Sequence, residues 1–462
     1  MPNPWATSGT DLHLELQGPG LRDGLANALR EAIRSGRLAP ETKLPSSRAL
    51  AADLGIARNT VAQAYTDLVA EGWLSARQGA ATRVARRGAE ALPAAVVPVR
   101  AASRRHVHDL RPGQPDLSTF PRAAWAKAMR RAITQAPDEA FGYGDPLGRP
   151  ELRTALAAYL ARTRGVHTHP DRIVICSGAS HGLTLLTEVL HRRDVHSIGV
   201  EAYGLGVHRD LLTSLGFRTV PLPLDDHGAQ VDRLGDVGAV LLTPSHQFPT
   251  GVALRSDRRA AVVDWARRTG GFVIEDDYDG EFRYDRHPVG ALQGLDPEHV
   301  VYLGTASKSL APGLRLAWMV LPARLVHAVT DVKGDRDRTT ATTDQLAMAE
   351  LLGSGAYDRH VRAMRLHYRR RRDQLVEALA ARAPEARVTG ITAGLHLLIE
   401  LPSGNESAVV RGSAWQDLAV YGLAQFRHPE TPAERDALVI GYGTPSASAW
   451  PGALEALCRV LP

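Results

Sequence analysis

Six short apolar runs, at residues 172–176, 197–200, 239–242, 272–274, 300–303 and 316–320, recur along this 462-residue chain with helical patterns between several of them. Strands that alternate with helices are expected to share one sheet with substantial parallel pairing, so the region from Asp109 onward reads as α/β. In such sheets, sites form just beyond the carboxyl ends of the strands. Three polar clusters stand in those places: Ser177-Gly178-Ala179-Ser180, Glu275-Asp276-Asp277-Tyr278 and Thr305-Ala306-Ser307-Lys308-Ser309.

The first quarter of the chain has a different period. Leu21, Leu25, Ala28, Leu29, Ala32 and Ile33 recur at helical spacing and predict an amphipathic helix over 21–35, stopped by Ser35-Gly36. Ser46 or Ser47 is placed to cap a short helix that carries Ala49, Leu50 and Leu54 and breaks at Gly55. A third helix starts near Arg58 with Val61, Ala64, Tyr65, Leu68 and Val69 as its core stripe. Its first turn and opposite face present Arg58, Asn59, Thr60 and Gln63, all hydrogen-bonding side chains. Two short helices joined by a glycine-containing turn make a helix-turn-helix, whose second helix reads the major groove from its N-terminal end. Residues 73–84 follow as two short strands around a turn at Gly79, a wing with Arg77 and Arg83 flanking its tip.

Charge supports an anionic partner for this part alone. The chain carries +5 net; residues 1–108 hold 14 Lys/Arg against 9 Asp/Glu, whereas the remainder holds 41 of each. The stretch KLPSSRALAADLGIARNTVAQAYTDLVAEGWLSARQGAATRV resembles, over its full length, the winged helix-turn-helix of GntR-type bacterial regulators. The resemblance implies DNA contacts from Arg48, Arg58, Asn59 and Thr60, with Gln78 and Gly79 at the wing tip. Phosphate contacts would supply affinity and the recognition helix would supply sequence choice. Ala57 and Ala62 stand where the family often carries longer or polar side chains.

Composition excludes several classes. Hydrophobic residues at 44 % and charged residues at 23 % are ordinary for a globular chain. No apolar run approaches the ~18 residues of a membrane helix. Residues 1–10 lack a basic and then apolar leader, and two cysteines, Cys176 and Cys458, are too few for a disulfide framework. A soluble cytoplasmic protein is expected. Residues 85–108, rich in Ala, Pro, Val and Arg with Pro93 and Pro98, read as a linker, the alternative being a buried strand at Val96-Val97. A coil of that length spans roughly 25–30 Å on average. The expected domains are therefore a winged helix-turn-helix at 11–84, the linker at 85–108 and a large α/β domain at 109–462.

The strand-end clusters also suggest a coenzyme. A lysine after a strand, set among small hydroxylated residues and followed by Pro312, Gly313 and Arg315, is placed to form a Schiff base with a phosphate-bearing aldehyde. An acid at another strand end keeps a pyridine nitrogen protonated, and a Ser-Gly-Ala turn entering a helix offers backbone N–H groups to a phosphate. Those are the parts that pyridoxal phosphate (PLP) requires.

Taken together, FGYGDPLGRPELRTALAAYLARTRGV, SGASHGL, TPSHQFPTG, IEDDYDGEFRY and YLGTASKSLAPGLRLAWMVLP resemble fold-type I aminotransferases, and most closely the aminotransferase-like domain of MocR/GabR-type regulators. With the N-terminal module, the likeness covers nearly the whole chain. It implies that Lys308 carries the Schiff base and that Asp276, or as second choice Asp277, pairs with the pyridine nitrogen. Tyr278 would bond the ring hydroxyl and Tyr203 would stack on the ring. Ser177, Gly178, Ala179, Thr305, Ser307 and Arg315 would surround the phosphate. Tyr143 would reach the phosphate of a partner subunit in a head-to-tail homodimer. His246 or Gln247 would stand where ordinary aminotransferases carry an asparagine near the ring hydroxyl.

The carboxylate clamp of amino-acid-binding members falls on Ala437, with Arg435 as its candidate substitute. The histidine pairs His106/His108, His167/His169 and His191/His196 lack the spaced Cys or carboxylate partners of a metal site, so none is expected. Two functions follow. The first is a PLP-dependent regulator that binds a double-stranded operator and senses an amine, an amino acid or PLP itself. The alternative is a catalytically active aminotransferase, which the fused helix-turn-helix and the missing clamp disfavour.

Overall fold

The computed structural model describes residues 20–77, 81–85, 106–284 and 289–461. Two compact units divide the chain, Met1–Arg104 and Arg105–Pro462. Of the expected linker, 86–105 lie outside the described residues, as do Gln78 and Gly79 at the wing tip.

In the first unit the three expected helices form: α1 (Leu21–Arg34), α2 (Ser47–Leu54) and α3 (Arg58–Ala70). The Ser46 hydroxyl accepts from Ala49 N–H at 3.2 Å, and Gly55 ends α2 in the left-handed region at φ +67°. Leu25, Leu29, Leu50, Val61, Ala64 and Leu68 close one core. Paired arginine forks add to the contact between α1 and α3: Arg22 to Asp67 at 2.7 Å and Arg30 to Glu71 at 2.6–2.8 Å. Such exposed pairs add little stability but fix helix orientation. Strands β1 (Leu74–Ser75) and β2 (Arg83–Val84) pair antiparallel, Leu74 opposite Val84, as the wing requires.

Helix α3 starts without a side-chain cap, because Ala57 stands at its N-cap. A hydroxyl there would satisfy one of the first-turn N–H groups. The Ala57→Ser variant is expected to gain about 1 kcal/mol of local stability, read as a roughly fivefold rise in amide-exchange protection along α3 in the full-length chain.

The second unit is built on a seven-stranded sheet. Its strands are β3 (Ile173–Cys176), β4 (Ser197–Glu201), β5 (Arg218–Leu222), β6 (Ala239–Leu242), β7 (Phe272–Asp276), β8 (Val300–Thr305) and β9 (Ala317–Val320). Their spatial order is β3-β9-β8-β7-β6-β4-β5; β9 runs antiparallel to both neighbours and the other pairs are parallel. Every residue of β3, β6, β7, β8 and β9 is buried, as strands covered on both faces must be. A second, antiparallel sheet holds β10 (Arg387–Thr389), β11 (His396–Glu400), β12 (Tyr421–Gly422) and β13 (Ala437–Gly441) in the order β10-β11-β13-β12. His108–Asp109, at the end of the expected linker, pairs with Leu418–Ala419 and so belongs to this unit. Among the described residues no helix is long and apolar enough to cross a membrane.

Candidate functional site

Three parallel or near-central strands deliver their polar ends to one cavity of about 660 Å³. Beyond β3, Ser177 and Gly178 turn into α4 (Ala179–His191); β7 ends on Asp276, and β8 ends on Thr305, ahead of Ser307 and Lys308. Ala179, Asp276, Tyr278, Thr305, Ser307, Lys308 and Arg315 all line the cavity. Ser177 and Gly178 stand directly behind Arg315, whose Nη2 donates to Ser177 O at 2.7 Å. Gly178 has φ +102°, and a Cβ there would fall 2.4 Å from the same guanidinium nitrogen, so only glycine lets Arg315 close against the start of α4. The Thr305 and Ser307 hydroxyls bond to each other at 2.9 Å. This is a cup of one cation, two hydroxyls and a helix N-terminus, suited to a phosphate.

The same cavity holds titrating groups. Burial holds the Lys308 amine below its usual range, against the attraction of Asp276 and Asp279. Burial pushes the Asp276 carboxyl up to about 7, with Asp277, Asp279 and Glu201 adding to the rise and Lys308 opposing it. Its Oδ2 lies 3.7 Å from His208 Nδ1, while its Oδ1 is buried with no hydrogen-bond partner. An unpartnered buried carboxyl oxygen is costly. A protonated pyridine nitrogen is the kind of donor that would satisfy it. Burial likewise pushes His208 down to about 4, so that ring is neutral. Asp277 is committed elsewhere, to Arg164 at 2.6 and 2.9 Å and to the Tyr302 hydroxyl at 2.8 Å.

Other residues singled out in the sequence stand apart from the cavity. Tyr203 packs in an apolar cluster with Phe248, Leu398 and Phe426. Gln247 spends its amide on Tyr203 O at 2.7 Å and on Thr250, holding the turn that presents Phe248 to the cavity. His246 sits behind Tyr278, with Nδ1 3.1 Å from the phenol oxygen. Tyr143 is 88 % exposed, its ring under the Arg338 guanidinium. Arg435 pairs with Glu400 at 3.1 Å, and Ala437 is buried at the start of β13. Arg48, Arg58 and Asn59 are exposed, the last two in the first turn of α3 beside Thr60.

Sequence reasoning missed Glu201, His208, Arg209 and His396, which also line the cavity. The first three follow the strand-end rule, since β4 ends on Glu201 and α5 (Gly206–Ser214) carries the other two. His396 arrives from the second sheet and had no local signal. His246, Asp279 and His396 each bring a potential metal-ligand atom within 4.8 Å of the others. His246 Nδ1 and Asp279 Oδ2, however, already bond to each other at 2.8 Å.

A parallel-sheet core with a lysine, an acid and a phosphate cup at its strand ends defines an aminotransferase-type body, here preceded by a winged helix-turn-helix. Residues 105–435 match the class I and II aminotransferases, and residues 21–84 match the gntR family of bacterial regulatory proteins. The uncharacterized HTH-type transcriptional regulator YdeL of Bacillus subtilis (strain 168) is 34 % identical, over 87 % of this chain and 89 % of its own length. The HTH-type pyridoxine biosynthesis transcriptional regulator PdxR of Corynebacterium glutamicum is 33 % identical, over 91 % of each chain. The probable rhizopine catabolism regulatory protein MocR of Rhizobium meliloti is 32 % identical, over 90 % and 89 %. Among solved structures, the Pyrococcus horikoshii kynurenine aminotransferase in complex with PMP superposes with a TM-score of 0.69 at 25 % identity, covering 78 % of this chain and 91 % of that one. The chain belongs to the MocR-type family of HTH transcriptional regulators, in which a gntR-type head precedes an aminotransferase body.

Proposed function

We propose that this regulator reads a DNA operator in the cytoplasm through α3 and the wing, and that its large unit holds PLP and senses a small amine, an amino acid or PLP itself. The unpartnered Oδ1 of Asp276, buried in the cavity that holds the Lys308 amine, carries the reading. When bound, the coenzyme supplies an aldehyde that condenses with primary amines and a ring that withdraws electrons. Lys308 offers that aldehyde a primary amine held toward its neutral, nucleophilic form. Asp276 holds the proton of the ring nitrogen, and Arg315 with the N–H groups opening α4 binds the phosphate.

For the effector, Arg209 is the residue proposed to take a carboxylate. It lines the cavity, donates through Nη1 to Phe426 O at 2.8 Å, and leaves its other nitrogens for a ligand. The exposed Tyr143 supports a head-to-tail homodimer in which it reaches the partner's phosphate cup. Effector binding shifts DNA affinity only through unequal binding to two states of the large unit.

The test is fluorescence anisotropy on duplexes selected from a randomised library, with and without PLP. DNA affinity is expected to fall with a log–log salt slope near −0.9 per phosphate neutralised, and Arg48→Ala or Arg58→Ala to flatten it by about one. Salt-insensitive binding without enrichment of any sequence would remove the regulatory reading. A second reading, a working aminotransferase, is favoured by the Lys308 amine, which lines the cavity and is held below its usual range by burial, as a group that takes up and returns a proton would be. Steady multiple-turnover conversion of an amino acid with a keto acid would select it.

A further inference from the structure

A second cavity, of about 170 Å³, lies in the large unit and shares no lining residue with the first. Its walls are the end of the helix Pro150–Arg164, with Arg162 and Arg164, the turn at Glu281, and the first turns of the helix Ala356–Arg382, with Asp358, Arg362 and Arg365.

Only half of these charges are paired. Arg164 is committed to Asp277 at 2.6 and 2.9 Å, and Arg162 to Asp358 at 2.8 Å. Arg362 and Arg365 pair with no carboxylate among the described residues; Arg365 donates through Nε to Glu281 O at 2.9 Å. Glu281 is the converse case. Its carboxyl meets the Tyr357 hydroxyl at 3.3 Å and has no cation at salt-bridge distance among the described residues. Burial, with Asp277 nearby, pushes it up to about 7. Two guanidinium groups without a carboxylate and a buried carboxyl without a cation therefore line one small space.

A simple anion would satisfy the arginines but stand against Glu281, and a simple amine would do the reverse. A molecule with both charges on adjacent carbons answers both, since a carboxylate accepts from guanidinium forks and an ammonium donates to a carboxylate. Size sets the upper limit. A cavity of about 150 Å³ takes benzene, a molecule of about six non-hydrogen atoms, and glycine, alanine and serine are of that size.

We propose that this second cavity binds a small zwitterionic α-amino acid, with its carboxylate on Arg362 and Arg365 and its ammonium on Glu281. The proposal goes beyond the PLP reading and does not rest on it. The site is nevertheless tied to the main cavity. Tyr357 and His360, from the same first turns as Arg362, hold the Ser309 hydroxyl and the Ser309 carbonyl, each at 2.7 Å. Ser309 follows Lys308 directly, and Asp277, held by Arg164, follows Asp276.

The experiment is isothermal titration calorimetry of the full-length protein with L-alanine and L-serine. The Lys308→Ala variant removes any reaction of these amines at the main cavity. Saturable binding with a Kd of about 1 mM or tighter is expected in wild type and in Lys308→Ala alike. Propionate, which lacks the ammonium, and ethylamine, which lacks the carboxylate, should each bind about tenfold more weakly than alanine. Arg362→Ala and Glu281→Gln should each weaken alanine binding by about tenfold or more. Arg362 is exposed and glutamine keeps the shape of glutamate, so both variants should fold. If Glu281→Gln loses its far-UV circular dichroism, Arg362→Ala and Arg365→Ala decide. Three results overturn the proposal: no saturable heat in Lys308→Ala, propionate or ethylamine bound as tightly as alanine, or alanine binding unmoved by the cavity variants.

Discussion

Replacing Lys308 by alanine is expected to abolish borohydride-fixed attachment of PLP and to move the response of DNA binding to about 100-fold higher PLP concentration. Lys308 is the lysine of the cavity wall; the other cations there, Arg209 and Arg315, have guanidinium groups that stay protonated and do not condense with aldehydes. Its amine is held below the usual lysine range by burial, so a larger neutral fraction is available near neutral pH than on an exposed lysine. The phosphate cup remains in the variant. PLP should therefore bind more loosely rather than not at all, by about 100-fold, equivalent to about 3 kcal/mol. The fold should survive, because the one hydrogen bond lost is that from Nζ to Gly113 O. Mass spectrometry after borohydride checks the attachment, and anisotropy on the selected duplex checks the response. A coenzyme mass that persists on another lysine would contradict the assignment.

The reach of the sequence differed between elements for physical reasons. Six of the seven central strands were legible because they are short, apolar and buried, five of them at every residue and β4 at all but Ser197. The seventh, β5, lies at the sheet edge, is half-exposed along most of its length and contains Pro221, a residue that edge strands tolerate. It therefore lacks the apolar run that marked the others. Asp276, Thr305 and Lys308 converge because each follows a strand in a common sheet, a consequence of topology that local pattern predicts. Tyr203 shows the limit of the same rule. It also follows a strand end, yet its ring turns into the cluster around Phe426, while Leu205, Gly206 and Val207 reach the cavity wall. Which way a loop side chain turns depends on the second sheet, whose strands come almost two hundred residues later. His396 and the Asp279–His246 pair were hidden for the same reason.

Asn in place of Asp276 is expected to stabilise the PLP-free protein at pH 8 while weakening PLP binding about 100-fold. The carboxyls of Glu201, Glu275, Asp276 and Glu281 are each pushed up to about 7, chiefly by burial. In the unfolded chain such groups titrate near 4. Between about pH 4 and 7 the native state therefore holds more protons than the unfolded state, and stability falls as pH rises. Above 7 the whole penalty is present. Removing the Asp276 charge should return about 2 kcal/mol at pH 8 and roughly a third of that at pH 5, measured as the difference in denaturation free energy between variant and wild type. Taking that difference cancels the buried histidines, whose lowered values tilt stability the other way. Loading with PLP should act on the wild type in the same sense, since a protonated ring nitrogen beside Oδ1 draws the carboxyl back toward its ordinary range. The wild type should thus gain more stability from PLP at pH 8 than at pH 5, and Asp276→Asn should lose most of that difference. Equal gains at the two pH values would mean that Asp276 does not meet the ring.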